Sequence, residues 1–174
     1  MCSSSMNKIL IIGSCGAGKS TLARRLGERL GLRVIHLDRH YWHPGWQPTP
    51  KEAWREVVRG LMQGDRWIMD GNYGGTFDIR FPEADTIIDL DYSTPRCLGR
   101  AVKRRLLYPF NGRPDMSDGC PERLFELDFY HYILFFRKRH RPRIEKAYQG
   151  YGDGKAIHQF RNPSELERWL AALD

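Results

Sequence analysis

The chain has 174 residues, and its 28 Lys and Arg exceed its 21 Asp and Glu, which gives a formal net charge of +7. This length favours one α/β domain, and the positive charge suits an anionic partner such as a nucleotide, a phosphorylated metabolite or a nucleic acid. The four cysteines form no C-x-x-C pair, which argues against a zinc knuckle or disulfide framework and favours a cytoplasmic protein. We also expect no signal peptide and no membrane span, because the N-terminus is polar and no run of 18 apolar residues occurs.

The first predicted elements are a buried strand over Lys8–Ile12 and a helix that begins beside Lys19. The residues between them fit G-x-x-x-x-G-K-[ST] at every fixed position. Such a loop at a helix N-terminus directs backbone N–H groups at a phosphate anion. We predict that Lys19 reaches the β- and γ-phosphates of ATP and that the Ser20 hydroxyl ligates Mg²⁺. The predicted cofactor-binding residues are Gly13, Ser14, Cys15, Gly16, Ala17, Gly18, Lys19, Ser20 and Thr21.

A second buried strand over Arg33–Leu37 ends at Asp38 and completes a βαβ unit. Ligands of open parallel sheets bind beyond the carboxyl ends of strands, so Asp38 should face the same crevice as the loop. The alternative for Asp38 is a turn or N-cap carboxylate. The aromatic segment that follows predicts a structured loop, in which Tyr41 and Trp42 either stack on a substrate or pack as a small satellite core.

A third strand over Arg66–Met69 leads into Asp70-Gly71-Asn72-Tyr73. A carboxylate there is typical of the second Mg²⁺-associated acid in phosphoryl-transfer sites, and an ordinary Asp-Gly turn is the alternative. We predict that Asp70 is associated with the metal and that Asp70, Gly71 and Asn72 contact substrate. A helical turn over Thr76–Arg80 should carry Arg80 towards the crevice.

A fourth strand over Ala84–Leu90 precedes a helix with a basic side. The breaker-rich stretch over 109–116 then predicts a mobile lid, at roughly residues 105–140. A helix from Pro121 should continue until Pro142 stops it, which would make Arg137 and Arg141 neighbours able to clamp a phosphate. A solvated basic helix end is the alternative. A fifth strand over Lys155–Phe160 and a last helix complete a single domain, predicted over residues 6–174.

The order of these features resembles the adenylate-kinase-like P-loop kinases. Longer motifs resemble, among these kinases, the bacterial group of topology modulation proteins. These motifs are Leu37-Asp38, Trp42, Pro44-Gly45-Trp46, Trp54-Arg55, Asp70-Gly71-Asn72-Tyr73, Thr76-Phe77-Asp78, Lys103-Arg104-Arg105, Arg113-Pro114-Asp115-Met116, Gly119-Cys120-Pro121 and Phe136-Arg137-Lys138 with Arg141-Pro142-Arg143.

The resemblance implies an α/β P-loop NTPase fold, with a five-stranded parallel sheet in strand order 2-3-1-4-5, helices on both faces and a small mobile lid. It implies ATP with Mg²⁺ as the phosphoryl donor. It also implies that lid and late arginines surround the transferring group, and by position these are Arg104, Arg137 and Arg141, with Arg113 in the lid. Adenylate kinases have D-G-F-P-R after strand three; this chain lacks that arginine, and Arg80 is the candidate substitute.

The predicted function is ATP-dependent phosphoryl transfer to a small molecule, in a monomer or dimer. A nucleotide or nucleoside is the favoured acceptor, because Arg80 and the aromatic residues suit a phosphate and a base. One alternative is a hydroxyl-metabolite kinase that uses Asp38 as its base. Another is a nucleic-acid-associated ATP-binding protein that affects DNA topology, although no module that reads nucleic acid is visible in the sequence. A nucleotide sensor without transfer is a third.

The predicted catalytic residues are Lys19, Asp38, Arg104, Arg137 and Arg141, and the predicted substrate-binding residues are Tyr41, Trp42, Asp70, Gly71, Asn72 and Arg80.

Overall fold

A computed structural model of the protein describes residues 6–107, 119–120 and 127–173. The strands are β1 (Lys8–Gly13), β2 (Arg33–His36), β3 (Trp42–His43), β4 (Gln47–Pro48), β5 (Trp67–Asp70), β6 (Thr86–Leu90) and β7 (Ala156–Phe160). The main sheet has five parallel strands in the order β2-β5-β1-β6-β7, and β3 pairs with β4 separately. When only the strands of the main sheet are numbered, this order is 2-3-1-4-5, which confirms the predicted fold and strand order. The helices are α1 (Lys19–Leu30), α2 (Leu37–Tyr41), α3 (Lys51–Leu61), α4 (Phe77–Glu83), α5 (Thr94–Leu107), α6 (Leu127–Arg139), α7 (Arg141–Tyr151) and α8 (Pro163–Ala171), with a 3₁₀ turn at Gly74–Thr76.

The sheet is buried on both faces, which is why its central strands are almost continuously apolar. In β1, Ile9 and Ile11 belong to one apolar cluster, whereas Leu10 and Ile12 belong to a second cluster on the opposite face. The first cluster includes buried residues of α1 and α8, and the second includes buried residues of α3, α4 and α7. The carboxyl ends of the strands therefore form the edge at which loops can build a site.

The second strand is shorter than predicted. It ends at His36, which lies opposite Asp70, the last residue of its partner strand β5. Without further backbone to pair with, the chain turns into α2, where Leu37 is buried and Asp38 lies in the first turn. The loop predicted after Asp38 contains the rest of α2 and the antiparallel pair β3–β4.

The late basic helix differs from the prediction in how it ends. Helix α6 stops at Arg139, and Pro142 lies in the first turn of a separate helix, α7. Proline is tolerated at this position because the first N–H groups of a helix have no intrahelical partner. Arg137 and Arg141 are therefore on two different helices, and the prediction that they share one helix face is wrong.

Two predictions concern residues outside the described part of the chain. These are the lid segment around Arg113 and the start of the late helix at Pro121. Within the described residues, none of the helices has the length and apolar character that crossing a bilayer requires.

Candidate active site

The loop between β1 and α1 has the backbone that its glycines permit. Gly13, Gly16 and Gly18 have φ angles of 139°, 79° and 99°, which other residues rarely adopt. A Cβ on Gly16 would lie 2.2 Å from the carbonyl oxygen of Cys97, and a Cβ on Gly13 would lie 2.6 Å from that of Leu90. The loop is thus seated directly against the carboxyl end of β6 and the start of α5.

The N-terminus of α1 is open to an anion. Gly18 is its N-cap and offers no side-chain acceptor, and the first turn contains no acidic residue. The Lys19 ammonium group lies across the loop and donates to Ser14 O at 3.1 Å. Free N–H groups, the positive end of the helix dipole and a lysine together suit a bound phosphate.

Arg100 adds a positive charge that the sequence analysis did not assign to the site. Its Nη1 donates to Ala17 O at 3.3 Å, and a Cβ on Gly18 would lie 2.9 Å from its Nη2. In the sequence Arg100 is one of several cations on a single side of α5, so only the packing of that helix distinguishes it from the others.

The segment after β5 reaches the phosphate loop. The Gly71 N–H donates to Ile11 O at 3.1 Å, which continues the pairing of β5 with β1. The next residue, Asn72, contacts both main-chain polar groups of Gly13 through its carboxamide. The loop and the segment predicted to bind substrate are thus directly connected, and Asn72 contacts the protein rather than open space.

Asp38 lies beside this segment. It accepts a hydrogen bond from the hydroxyl of Tyr73, with 2.5 Å between the two oxygens. Burial, followed by the charge of Asp38, raises the pKa of the Tyr73 hydroxyl, so this group remains a donor across the neutral range. The same carboxylate contributes to a raised pKa of Tyr132, for which burial is again the main cause. Asp38 is thus a half-buried acid among tyrosine hydroxyls at the carboxyl edge of the sheet.

Asp70 is buried at the end of β5, and its Oδ1 lies 2.8 Å from Nδ1 of His36 on the neighbouring strand. An ionised carboxylate can only accept, so Nδ1 then carries the hydrogen. Among the described residues, no three His, Cys, Asp or Glu side chains form a ready-made metal site. Mg²⁺ usually takes only one or two protein ligands, with phosphate oxygens and water completing its shell, so Ser20 and Asp70 stay a predicted pair of ligands.

The structure contradicts the prediction that Arg80 enters the crevice. Its side chain is fully buried and donates to Gly71 O at 3.0 Å, to Tyr73 O at 3.2 Å and to Thr76 Oγ1 at 3.0 Å. It also donates to Asn72 O. Burial lowers the pKa of Arg80 to about 9, so it is still charged at neutral pH and is stabilised by carbonyl dipoles. Arg80 thus holds the backbone of residues 71–73 and does not replace the missing adenylate-kinase arginine.

The aromatic residues near Asp38 form the satellite core that the sequence left as one alternative. The ring of Tyr41 lies 5.0 Å from Trp54 and 4.7 Å from Tyr73, measured between centroids. Trp42 packs edge-on against Tyr41 at 4.9 Å and against Trp46 at 5.5 Å. These contacts fix α2 and the β3–β4 pair against α3, and they give Tyr41 a packing role.

The three predicted catalytic arginines lie in different environments. Arg104 stands 5.9 Å from the ring centroid of Phe129, which connects α5 with α6. Arg137 donates to Asp91 at 3.1 Å, and 53% of its side chain is exposed. Arg141 donates to Asp89 at 2.5 Å and is only 11% exposed. Arg137 is thus half exposed, whereas Arg141 anchors α7 to the end of β6.

Comparison with known proteins places the chain in a family. A family model described as an AAA domain matches residues 9–106, which is more than half of the chain and includes the phosphate loop. The chain belongs to this family. A shikimate kinase of Rhodococcus erythropolis is 29% identical over 130 residues, which cover 66% of this chain and 73% of that protein. An adenylate kinase of Halobacterium salinarum is 24% identical over 139 residues, and the match spans 64% of its length.

A solved structure shows the same fold at lower sequence identity. The shikimate kinase of Acinetobacter baumannii, determined in complex with shikimate, superposes with a TM-score of 0.61 over 98% of this chain and 94% of that one, at 15% identity. The relatives of this AAA-domain chain are thus P-loop kinases of small molecules. The prediction of a P-loop kinase is confirmed at that level, and the relatives differ in their acceptors.

Proposed function

We propose that this protein transfers the γ-phosphoryl group of ATP to a hydroxyl group of a small molecule, with Asp38 as the base. The observation that carries the proposal is the hydrogen bond from the Tyr73 hydroxyl to Asp38 at 2.5 Å. Tyr73 follows Asn72, whose side chain contacts Gly13 in the phosphate loop. A phosphate acceptor is already ionised and needs no base, whereas a hydroxyl acceptor benefits from a carboxylate within hydrogen-bond reach.

The nucleotide acceptor favoured by the sequence loses its main support. That preference rested on a guanidinium group of Arg80 in the crevice, and this group donates to backbone carbonyls instead. The aromatic support weakens too, because Tyr41 packs against Trp54 and Tyr73. A nucleoside or another hydroxyl compound fits the remaining groups better than a nucleoside monophosphate does.

The donor side is proposed to work by positioning and charge. Residues 13–21 would hold the triphosphate, with Lys19 at its β- and γ-phosphates, and Ser20 and Asp70 would hold Mg²⁺. Mg²⁺ would neutralise charge on the phosphate oxygens. Arg137, and Arg104 from α5, would stabilise charge on the transferring group. Asp38 would accept the proton of the acceptor hydroxyl as its oxygen attacks.

Membership in the topology modulation group remains a proposal from its sequence motifs, and so does the single domain over residues 6–174.

The nucleic-acid alternative rests on the net charge of +7. It predicts binding to DNA that weakens steeply as the salt concentration rises. Among the described residues, Arg55 and Arg25 form ion pairs with Asp78 and Glu167, so these two arginines already have partners within the protein.

The test is a phosphorylation screen over nucleosides, nucleoside monophosphates, sugars and hydroxy acids, with wild type and Asp38→Asn. We expect a phosphate ester as the product and a rate that falls about 10²- to 10⁴-fold in Asp38→Asn, the usual contribution of a general base. The exposed Asp65→Asn is the matched control and should retain the wild-type rate. Transfer to monophosphates alone, at a rate that Asp38→Asn leaves unchanged, would contradict the proposal.

A further inference from the structure

We infer that Asn72 is a positioning residue for the phosphate loop: its carboxamide fixes the first residue of the loop, Gly13, and thereby sets the affinity for the triphosphate. This inference rests on the proposed ATP site. It replaces the prediction that Asn72 contacts substrate.

Strand β1 loses the main-chain pairing with β5 before it reaches Gly13. Strand β5 pairs with β1 up to Asp70 opposite Ile11, and the Gly71 N–H makes the last main-chain bond, to Ile11 O. Gly13 lies two residues further along β1. On this side its N–H and C=O have no main-chain partner from the β5 segment among the described contacts, since that segment has turned away.

The Asn72 side chain supplies the two missing bonds. Its Oδ1 accepts from Gly13 N–H at 3.0 Å, and its Nδ2 donates to Gly13 O at 2.6 Å. A carboxamide has the same donor and acceptor as a peptide unit, so it can extend the ladder by one more residue. Aspartate lacks the donor, and glutamine places the same groups one methylene further away.

The carboxamide has little capacity left for a ligand. The second hydrogen of Nδ2 is within reach of the Tyr132 hydroxyl on α6, at 3.2 Å. Both amide hydrogens therefore have partners within the protein, and Oδ1 already accepts from Gly13. A substrate acceptor could bind the amide nitrogen only by displacing one of these contacts.

The backbone of Asn72 is fixed as firmly as its side chain. The buried Arg80 guanidinium donates to the carbonyl oxygens of Gly71, Asn72 and Tyr73 in turn. Gly71 itself has φ 132°, and a Cβ there would lie 3.0 Å from Cβ of Leu37, so the turn that aims Asn72 at Gly13 requires glycine. A segment held in this way can transmit a fixed position to the loop.

Gly13 is the point at which such a contact matters for nucleotide binding. The next residue is Ser14, whose carbonyl oxygen accepts from the Lys19 ammonium group at 3.1 Å and from the Ala17 N–H at 3.2 Å. A change in the direction of the chain at Gly13 would therefore move the groups that are proposed to cradle the phosphates. The expected consequence is weaker triphosphate binding without loss of the fold.

The test compares wild type with Asn72→Ala by amide hydrogen exchange and by calorimetry with Mg·ATP. We expect exchange of the Gly13 amide to accelerate at least tenfold, with the Gly71 amide changed less than threefold. The dissociation constant for Mg·ATP should rise about tenfold. Asn72→Gln serves the same purpose if the alanine variant does not fold. Tyr132→Phe is the matched control, because it removes only the contact of Asn72 that does not involve Gly13, and its Gly13 exchange should change less than threefold.

Several results would overturn the inference. One is equal acceleration at Gly13 and Gly71, which would indicate general loosening. Another is an unchanged affinity for Mg·ATP despite faster Gly13 exchange. If Tyr132→Phe accelerates Gly13 exchange as much as Asn72→Ala does, the contact from α6, rather than the Asn72–Gly13 contact alone, would position Gly13. If wild type does not bind Mg·ATP at all, the proposed function fails, and the Gly13 exchange rates still decide whether Asn72 holds the loop.

Discussion

At the scale of single residues, the proposed chemistry depends on the contact between Tyr73 and Asp38. The tyrosine hydroxyl donates at 2.5 Å and remains protonated because burial raises its pKa. It thereby orients one carboxylate oxygen of the proposed base. A charge-assisted hydrogen bond of this kind contributes about 1.5–3 kcal/mol.

We predict that Tyr73→Phe lowers kcat/KM for the acceptor about 10- to 100-fold, which corresponds to the loss of that hydrogen bond. The dissociation constant for Mg·ATP should stay within about threefold of the wild-type value, because Asn72 and Gly13 are unaffected. Steady-state kinetics with the acceptor from the screen gives the measurement. The exposed Tyr151→Phe is the control, and a wild-type rate in Tyr73→Phe would show that the Tyr73 hydroxyl does not orient the base.

The sequence predicted the positions of Asp38, Asp70 and Arg80 along the chain better than the directions of their side chains. Strand ends can be read from apolar runs, so acids that follow them are found. The direction of Arg80 depends on the ring of Phe77 and on three carbonyls of the segment 71–73, whose path passes close to Leu37 at Gly71. Such a path is a property of the tertiary structure, and no local pattern in the sequence encodes it.

At the scale of elements, helix α7 is attached to the sheet through one buried carboxylate. Asp89 on β6 is fully buried, and its Oδ2 accepts from Arg141 at 2.5 Å, from Tyr148 at 2.9 Å and from Gln159 at 3.3 Å. Burial raises the pKa of Asp89, so its charged form depends on these donors. The sequence predicted neither α7 nor this attachment, because Pro142 was interpreted as a helix stop.

We predict that Arg141→Met lowers the free energy of unfolding by about 3–5 kcal/mol, because Asp89 would remain buried without its cation. The double variant Arg141→Met with Asp89→Leu should recover most of this loss, since an apolar pair of similar size needs no ion pair. Urea denaturation measures both. A double variant no more stable than Arg141→Met would contradict the account of α7.

Arg137→Met is the matched change on α6. Its side chain is 53% exposed, and its partner Asp91 is 8% exposed but also lies 3.8 Å from the Arg141 guanidinium group. Because Asp91 keeps Arg141 beside it, the stability should change by no more than about 1 kcal/mol. If Arg137 reorients to the transferring phosphoryl group, kcat should fall at least tenfold although the fold is retained. A variant with wild-type kcat would leave Arg137 as a surface residue.

At the scale of the whole molecule, partly buried histidines make the free energy of unfolding depend on pH, at pH values above those at which carboxyl groups usually titrate. Burial lowers the pKa of His40, His140 and His158 from the model-compound value of 6.5. Between pH 6.5 and these lower values, the unfolded chain takes up protons that the folded chain does not. Stability must therefore fall as the pH falls through this window.

We predict that the free energy of unfolding decreases from pH 7 to pH 5, and that His158→Gln makes this decrease shallower by at most about 1.4 kcal/mol per pH unit. His158 is the clearest case because burial is the sole cause of its shift. Thermal and urea unfolding at pH 5, 6 and 7 provide the comparison. A decrease as steep in His158→Gln as in wild type would contradict this assignment.

The overall fold followed from the sequence because apolar runs, glycine positions and the phosphate-loop motif agree with one another. Both faces of the sheet are buried, so each central strand appears as an apolar run, and each gap between runs contains an amphipathic helix. The connections inside the site did not follow, since the Asn72–Gly13, Tyr73–Asp38 and Arg141–Asp89 contacts join residues far apart in the chain.

Residues 13–21 are proposed to bind the triphosphate of ATP, and calorimetric titration with Mg·ATP tests this binding most directly. We predict saturable binding to wild type and a dissociation constant about 10- to 100-fold higher for Lys19→Ala, which loses a charge-assisted contact with the phosphates. The exposed Lys51→Ala should bind as wild type does. Heats that stay flat at high wild-type concentration, or binding that Lys19→Ala leaves unchanged, would contradict the account.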